Sequence, residues 1–129
     1  MIYLYIFIGG GLVGWALDTA YRTWTEKHYT SGTWLPYFSL IYGVNAVFLY
    51  TFFHFFSISF YLDIVIGSVI SVCVEIASGL MGLVVLKKRL WDYRNSRFNI
   101  IGFVDLEHTF YWMLLVSVCR ILYSIFFIL

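Results

Sequence analysis

The sequence predicts an all-α fold, a polytopic membrane helix bundle of about four transmembrane helices, on three observations. Hydrophobic residues make up 62% of the chain and charged ones 12%, against roughly 25% charged in an ordinary soluble domain. Aromatic residues reach 22%, excessive for a soluble core of this size but suited to a chain that lines two membrane interfaces. Four apolar stretches are also of the length, ~20 residues, that crosses a bilayer as a helix. The 129 residues leave room for a single integral membrane domain and no separate soluble module.

The first stretch runs from Ile2 to Tyr21. Its start, MIYLYIFIGGGLVGW, has neither a basic n-region nor an A-x-A-like cleavage site, so it reads as a retained first span. Gly10 and Gly14 form a small-xxx-small pair, the spacing that lets helix backbones approach closely where lipid gives no hydrophobic drive. Asp18 and Arg22 sit at i,i+4 near its end, as an interfacial pair or as part of a polar site. The second stretch, Pro36 to Phe56, buries Asn45 in apolar sequence, which reads as interhelical glue. A short aromatic link around Phe55 to Phe60 follows, and His54 and Asp63 beside it read as interfacial.

The third stretch, from about Tyr61 to Leu86, carries Glu75 with no other ionisable residue between Asp63 and Lys87. A charge near a bilayer centre costs at least ~2.5–3.5 kcal/mol, so the carboxylate must be paired, protonated or beside a wet cavity. Ser68, Ser71, Glu75, Ser78 and Gly82 recur at steps of three and four and form one small, polar stripe. Glu75 therefore faces protein or water. The fourth stretch, Phe103 to Leu129, opens with Glu107 and His108 and holds Arg120 deep inside. Arg120 either snorkels outward or reaches Glu75, and pairing with Glu75 is the expectation. From the rise per residue, Glu75 lies about 16 Å in from Leu86, so Asp18, Glu75, Glu107 and His108 are expected to line one cavity with Glu75 at its floor.

Seven of the eight Lys and Arg residues fall in two loops: Arg22 and Lys27 in the first, and Lys87, Lys88, Arg89, Arg94 and Arg97 in the third. The positive-inside rule makes both loops cytoplasmic and both termini external. The setting expected is an integral protein of a bacterial cytoplasmic membrane, with the lipid bilayer as its first partner. No basic run suggests nucleic acid. Cys73 and Cys119 lie in apolar runs and read as small hydrophobes. No G-x-x-x-x-G-K-[ST], G-x-S-x-G or H-E-x-x-H occurs, and Glu107-His108 without a second spaced His makes a weak zinc ligand set. No cofactor or metal is expected.

The third loop is the most distinctive stretch: Leu90-Trp91-Asp92-Tyr93-Arg94-Asn95-Ser96-Arg97-Phe98-Asn99-Ile100-Ile101-Gly102. It resembles the LWDY…FN…G segment of the putative ABC-transporter type IV permease family of CmpB-like small membrane proteins. Gly14-Trp15 with Asp18, Pro36 with Tyr42-Gly43, Glu75 and Trp112 agree in order, so the resemblance covers about Gly14 to Trp112. The chain departs from the family pattern at Asp18, where Glu is commoner, at Thr30-Ser31-Gly32-Thr33-Trp34, which lacks the usual basic residue, and at Phe103, where Arg is common. Trp91 and Tyr93 suit the headgroup layer, Asp92 can accept from loop amides, Arg94 or Arg97, and Asn99 with Gly102 suits a tight turn. The loop is expected to fold back over the cytoplasmic mouth.

These readings point first to a small transport or permease-type protein, working as a homodimer or with partner membrane subunits and, for ATP hydrolysis, a separate ATPase chain. A membrane-embedded enzyme acting on a lipid or lipid-linked substrate is the alternative, with Asp18, Glu107 and His108 as acid and base near the headgroups. The third class is a non-catalytic scaffold subunit of a membrane complex.

Overall fold

A computed structural model describes residues 1–27 and 35–128. It contains four helices: α1 (Ile2–Glu26), α2 (Leu40–Phe55), α3 (Phe60–Met81) and α4 (Leu106–Tyr123). The last two continue through single π-helical turns, Gly82–Leu86 and Ser124–Ile128. Including these turns, α1, α3 and α4 are each long and apolar enough to cross a membrane, while α2 has 16 residues. Residues 28–34, which include Thr30 to Trp34 and half of the expected first loop, lie outside the described residues.

The span expected from Pro36 therefore begins later. Ser39 caps α2, its hydroxyl accepting from the Tyr42 amide at 3.4 Å, and the preceding residues form a turn closed by a bridge between Leu35 and Phe38. The fourth helix likewise starts at Leu106, not Phe103, because Asp105 caps it by accepting from the His108 amide at 2.7 Å. In both cases a side-chain acceptor takes an amide left over by the first turn. Hydropathy does not sense that signal.

The helices pack as an up-down-up-down bundle. α1 and α2 are antiparallel: the Tyr3 ring meets Tyr50 at 5.6 Å, Gly10 faces Ala46, and Gly14 faces Tyr42. α2 and α3 are joined by Asn45, which donates to the Ser71 hydroxyl at 2.9 Å, and by Leu49 against Gly67. α3 and α4 run antiparallel through Gly67 against Val116 and Glu75 against Trp112. Gly10 and Gly14 thus serve an interface inside the chain.

Burial is inverted relative to a soluble protein. The buried face of α3 is Asp63, Gly67, Ser68, Ser71, Glu75 and Gly79, whereas Val65, Val69, Leu80 and Val84 are exposed. Small and polar side chains face the seams and large apolar ones face outward, which is stable only where the solvent is hydrocarbon. The chain is an integral membrane protein.

Candidate functional site

One cavity of about 370 Å³ occupies the end of the bundle that carries the third loop. It is lined from α1 by Asp18, Tyr21 and Arg22, from α3 by Glu75, and from α4 by His108, Tyr111 and Trp112. Ser39 and Tyr42 contribute from the start of α2, and Trp91 and Tyr93 from the loop. Asp18 accepts from Arg22 Nε at 2.9 Å, one helical turn apart. Of the four residues expected to share a cavity, Asp18, Glu75 and His108 do. Glu107 does not: it is exposed on the first turn of α4 and accepts from the Tyr111 hydroxyl at 2.8 Å.

Glu75 is 7% exposed. Its Oε2 accepts from the Trp112 indole N–H at 2.6 Å, and Trp112 in turn packs against Tyr42 with ring centroids 5.0 Å apart. The expected partner, Arg120, lies elsewhere. Its Nε donates to Asp63 at 2.9 Å, and its guanidinium also reaches the Ser124 hydroxyl. Asp63 is fully enclosed rather than interfacial, and takes the Ser57 hydroxyl at 2.5 Å and the Ile58 amide at 2.8 Å. The reason is register. With Trp112 opposite Glu75 on antiparallel helices, Arg120 stands eight residues further along α4, about 12 Å, which carries it toward the α2–α3 link.

The loop residues act mainly on one another. Trp91 donates its indole N–H to the Phe103 carbonyl at 2.8 Å. The Tyr93 amide donates to the Gly102 carbonyl at 2.8 Å, closing the loop on itself. Asn99 donates to the Ser96 carbonyl at 2.9 Å and accepts from the Gly102 amide at 3.0 Å, and Gly102 has φ +76°. Asp92 takes a two-pronged contact from Arg94, Nε at 2.9 Å and Nη2 at 2.6 Å. Those charge-assisted bonds, joined by the Arg94 amide, lower the Asp92 carboxyl to about 2. Phe103, standing where a basic residue is common in the resembled family, is buried against Gly79 with the Arg89 guanidinium 4.5 Å from its ring.

Sequence reasoning passed over Asp105. It is buried and holds the His108 ring through Nδ1 at 2.6 Å, while Tyr93 stacks on that ring at 4.0 Å. Burial works against ionisation of Asp105, but the hydrogen bonds from the His108 amide and ring and from Ser96 outweigh it, so its pKa is lowered. Burial raises the Tyr93 phenol, and the charge of Glu75 adds to the effect. An Asp three residues before a His at a helix start was the available signal. Asp105, Glu107 and His108 bring their ligand atoms within 4.8 Å of one another. However, Asp105 and His108 are already bonded to each other and Glu107 to Tyr111, so the grouping is accounted for without an ion.

The sequence profile of the family described as Putative ABC-transporter type IV matches residues 5–128. The chain belongs to that family. Neither a characterised protein nor a solved structure matches it. Within this Putative ABC-transporter type IV protein, Trp91, Asp92, Asn99 and Gly102 build the loop that carries Tyr93 to the cavity wall, which gives the distinctive stretch a structural purpose.

Proposed function

We propose that the chain is a small transport-type membrane protein whose solute cavity is centred on Glu75 and opens to the cytoplasm. The observation that carries this reading is the buried carboxylate at the floor of a cavity of about 370 Å³, near the lower end of the ~300–1,000 Å³ typical of small-molecule sites. Asp18, Glu75 and His108 contact the solute path in this reading, and Trp112 positions Glu75. Arg120 belongs to the far end of the bundle, where it locks α3 to α4. Lys87, Lys88, Arg89, Arg94 and Arg97 crowd the cavity end, which supports a cytoplasmic mouth and a bacterial cytoplasmic membrane as its setting. Four helices enclose little volume, so a homodimer or partner membrane subunits complete the pathway, with ATP hydrolysis on a separate chain.

Solute flux into proteoliposomes tests this. Wild type should exceed protein-free vesicles, and Glu75→Gln should fall to background while eluting as folded protein. Equal flux above background in both removes Glu75 from the path.

One observation favours a second reading, an enzyme acting on a lipid or lipid-linked substrate. Asp105 orients the His108 ring at the cavity wall, the arrangement of a general base held by a carboxylate. Lipidomics of cells with and without the protein separates the two, because an enzyme changes a lipid species and a carrier of small solutes does not.

A further inference from the structure

The walls of the cavity narrow the chemistry of its occupant. Six aromatic rings, Tyr21, Tyr42, Trp91, Tyr93, Tyr111 and Trp112, line it together with the carboxylates of Asp18, Glu26 and Glu75 and one guanidinium, Arg22. Asp18 and Arg22 are bonded to each other, and among the described residues Glu75 takes a hydrogen bond from the neutral Trp112 indole and makes no ion pair. Glu75 is more than nine-tenths buried and commits only Oε2 to a protein donor. Among the described residues no hydrogen bond is made to its Oε1, although the residue lines the cavity. The rings brace one another: Tyr42 against Trp112 at 5.0 Å, Tyr93 stacked on His108 at 4.0 Å, and Tyr21 edge-on to Tyr111 at 5.5 Å.

An anion entering here would meet carboxylates and the negative faces of the rings. A cation gains from both features, since a ring face is worth roughly two- to thirty-fold in affinity for a desolvated ammonium, and a carboxylate away from bulk water attracts it more strongly than in water. Given a solute cavity as proposed above, we infer that it takes an organic cation, a substituted ammonium with an apolar or aromatic body, whose charge sits at Glu75 Oε1 and whose body lies between the aromatic walls.

The test uses the whole chain in phosphatidylglycerol nanodiscs, titrated with benzyltrimethylammonium and separately with neopentylbenzene, its neutral carbon isostere. Calorimetry and tryptophan fluorescence report binding. The cation should bind at least ~tenfold more tightly than the isostere, and Glu75→Gln should weaken the cation by ~tenfold or more while leaving the isostere unchanged. Tyr42→Leu and Tyr93→Leu should each weaken the cation roughly two- to thirty-fold. Equal binding of cation and isostere overturns the inference. So does undiminished cation binding in folded Glu75→Gln or, should that variant fail to fold, in both tyrosine variants.

Adding phosphatidylethanolamine to the discs separates the two sources of such a cation. Competition with the probe assigns the site to a lipid headgroup, and its absence assigns it to a free solute; either result upholds the cation chemistry. Proteoliposomes separate the site from the transport reading. Cation binding without cation flux sustains the site and removes transport, whereas flux of a neutral or anionic solute without cation binding does the reverse.

Discussion

Asp63 and Arg120 are, among the described residues, the most deeply enclosed acid and base, 2.9 Å apart and each with further hydrogen bonds. Removing one partner strands the other, at a cost of about 3–5 kcal/mol. Arg120→Met should therefore lose most folded yield in mild detergent, while the double variant Asp63→Asn/Arg120→Met should recover much of it. Recovery is read by monodispersity on gel filtration, and a double variant as poor as the single one would mean that the charges do more than satisfy each other. Trp112→Phe deletes the donor to Glu75 and should lower the thermal midpoint by an amount equivalent to about 1–3 kcal/mol. At the loop, Asp92 is held at about 2, below the ~3.9 of an unfolded chain. A depressed acid contributes stability above its unfolded value and loses it as pH falls through the folded one. The Asp92–Arg94 brace of the loop should thus persist at pH 5 and be lost between about 4 and 2. Arg94→Gln should move that loss toward ~4, as followed by the fluorescence of Trp91 in a background without other tryptophans. Glu75 was legible as a lone acid in apolar sequence, Asp18 by its i,i+4 spacing with Arg22, and His108 by its place beside Glu107 near the start of the last span. Asp105 was not, because it sits at a helix cap, where polar residues are ordinary.

Each helix seam depends on residues too small to hold neighbours apart. A side chain on Gly14 would enter the Tyr42 ring, and one on Gly79 would enter Phe103. Gly14→Leu should separate α1 from α2, and Gly79→Leu should displace Phe103 and with it the loop; overpacking of this kind costs about 1–3 kcal/mol. The two differ in readout. Gly79→Leu should disturb the Trp91 indole bond to the Phe103 carbonyl and shift tryptophan emission, whereas Gly14→Leu should lower the thermal midpoint with the loop's acid transition unchanged. If Gly14→Leu melts like wild type, the α1–α2 contact is not a tight seam. At this scale the existence of all four helices could be read from hydropathy, but the starts of α2 and α4 could not. Ser39 and Asp105 end the preceding turns by hydrogen bonding, which an apolar count does not register.

The whole molecule has two polar ends of unlike character: a cavity end, with Asp18, Glu75, His108 and the basic third loop, and a closed end, where Arg120 and Asp63 are sealed by Ser57 and Ile58. Orientation in the membrane is the prediction that belongs here. In a background lacking Cys73 and Cys119, Asn95→Cys should resist an impermeant thiol reagent added outside intact cells and react after lysis. Ile58→Cys, in the exposed α2–α3 link, should react from outside. The opposite pattern would turn the cavity mouth to the exterior.

The amino-acid sequence by itself determined the solvent, the helix count and the buried face of α3. These follow from composition and from spacing along one chain, and a bilayer admits few other arrangements. It also singled out Glu75, because a lone acid in hydrocarbon is costly wherever its partners are. Only the tertiary structure decided what each charge meets. The antiparallel register of α3 and α4 gave Glu75 the Trp112 indole and Arg120 the Asp63 carboxylate. The turn at Asp105 put His108 at the cavity wall and left Glu107 outside. Depth counted from a loop places a residue along its own helix, but which residue stands opposite depends on how two helices slide and rotate against each other. That is fixed by glycine contacts and ring packing far apart in sequence.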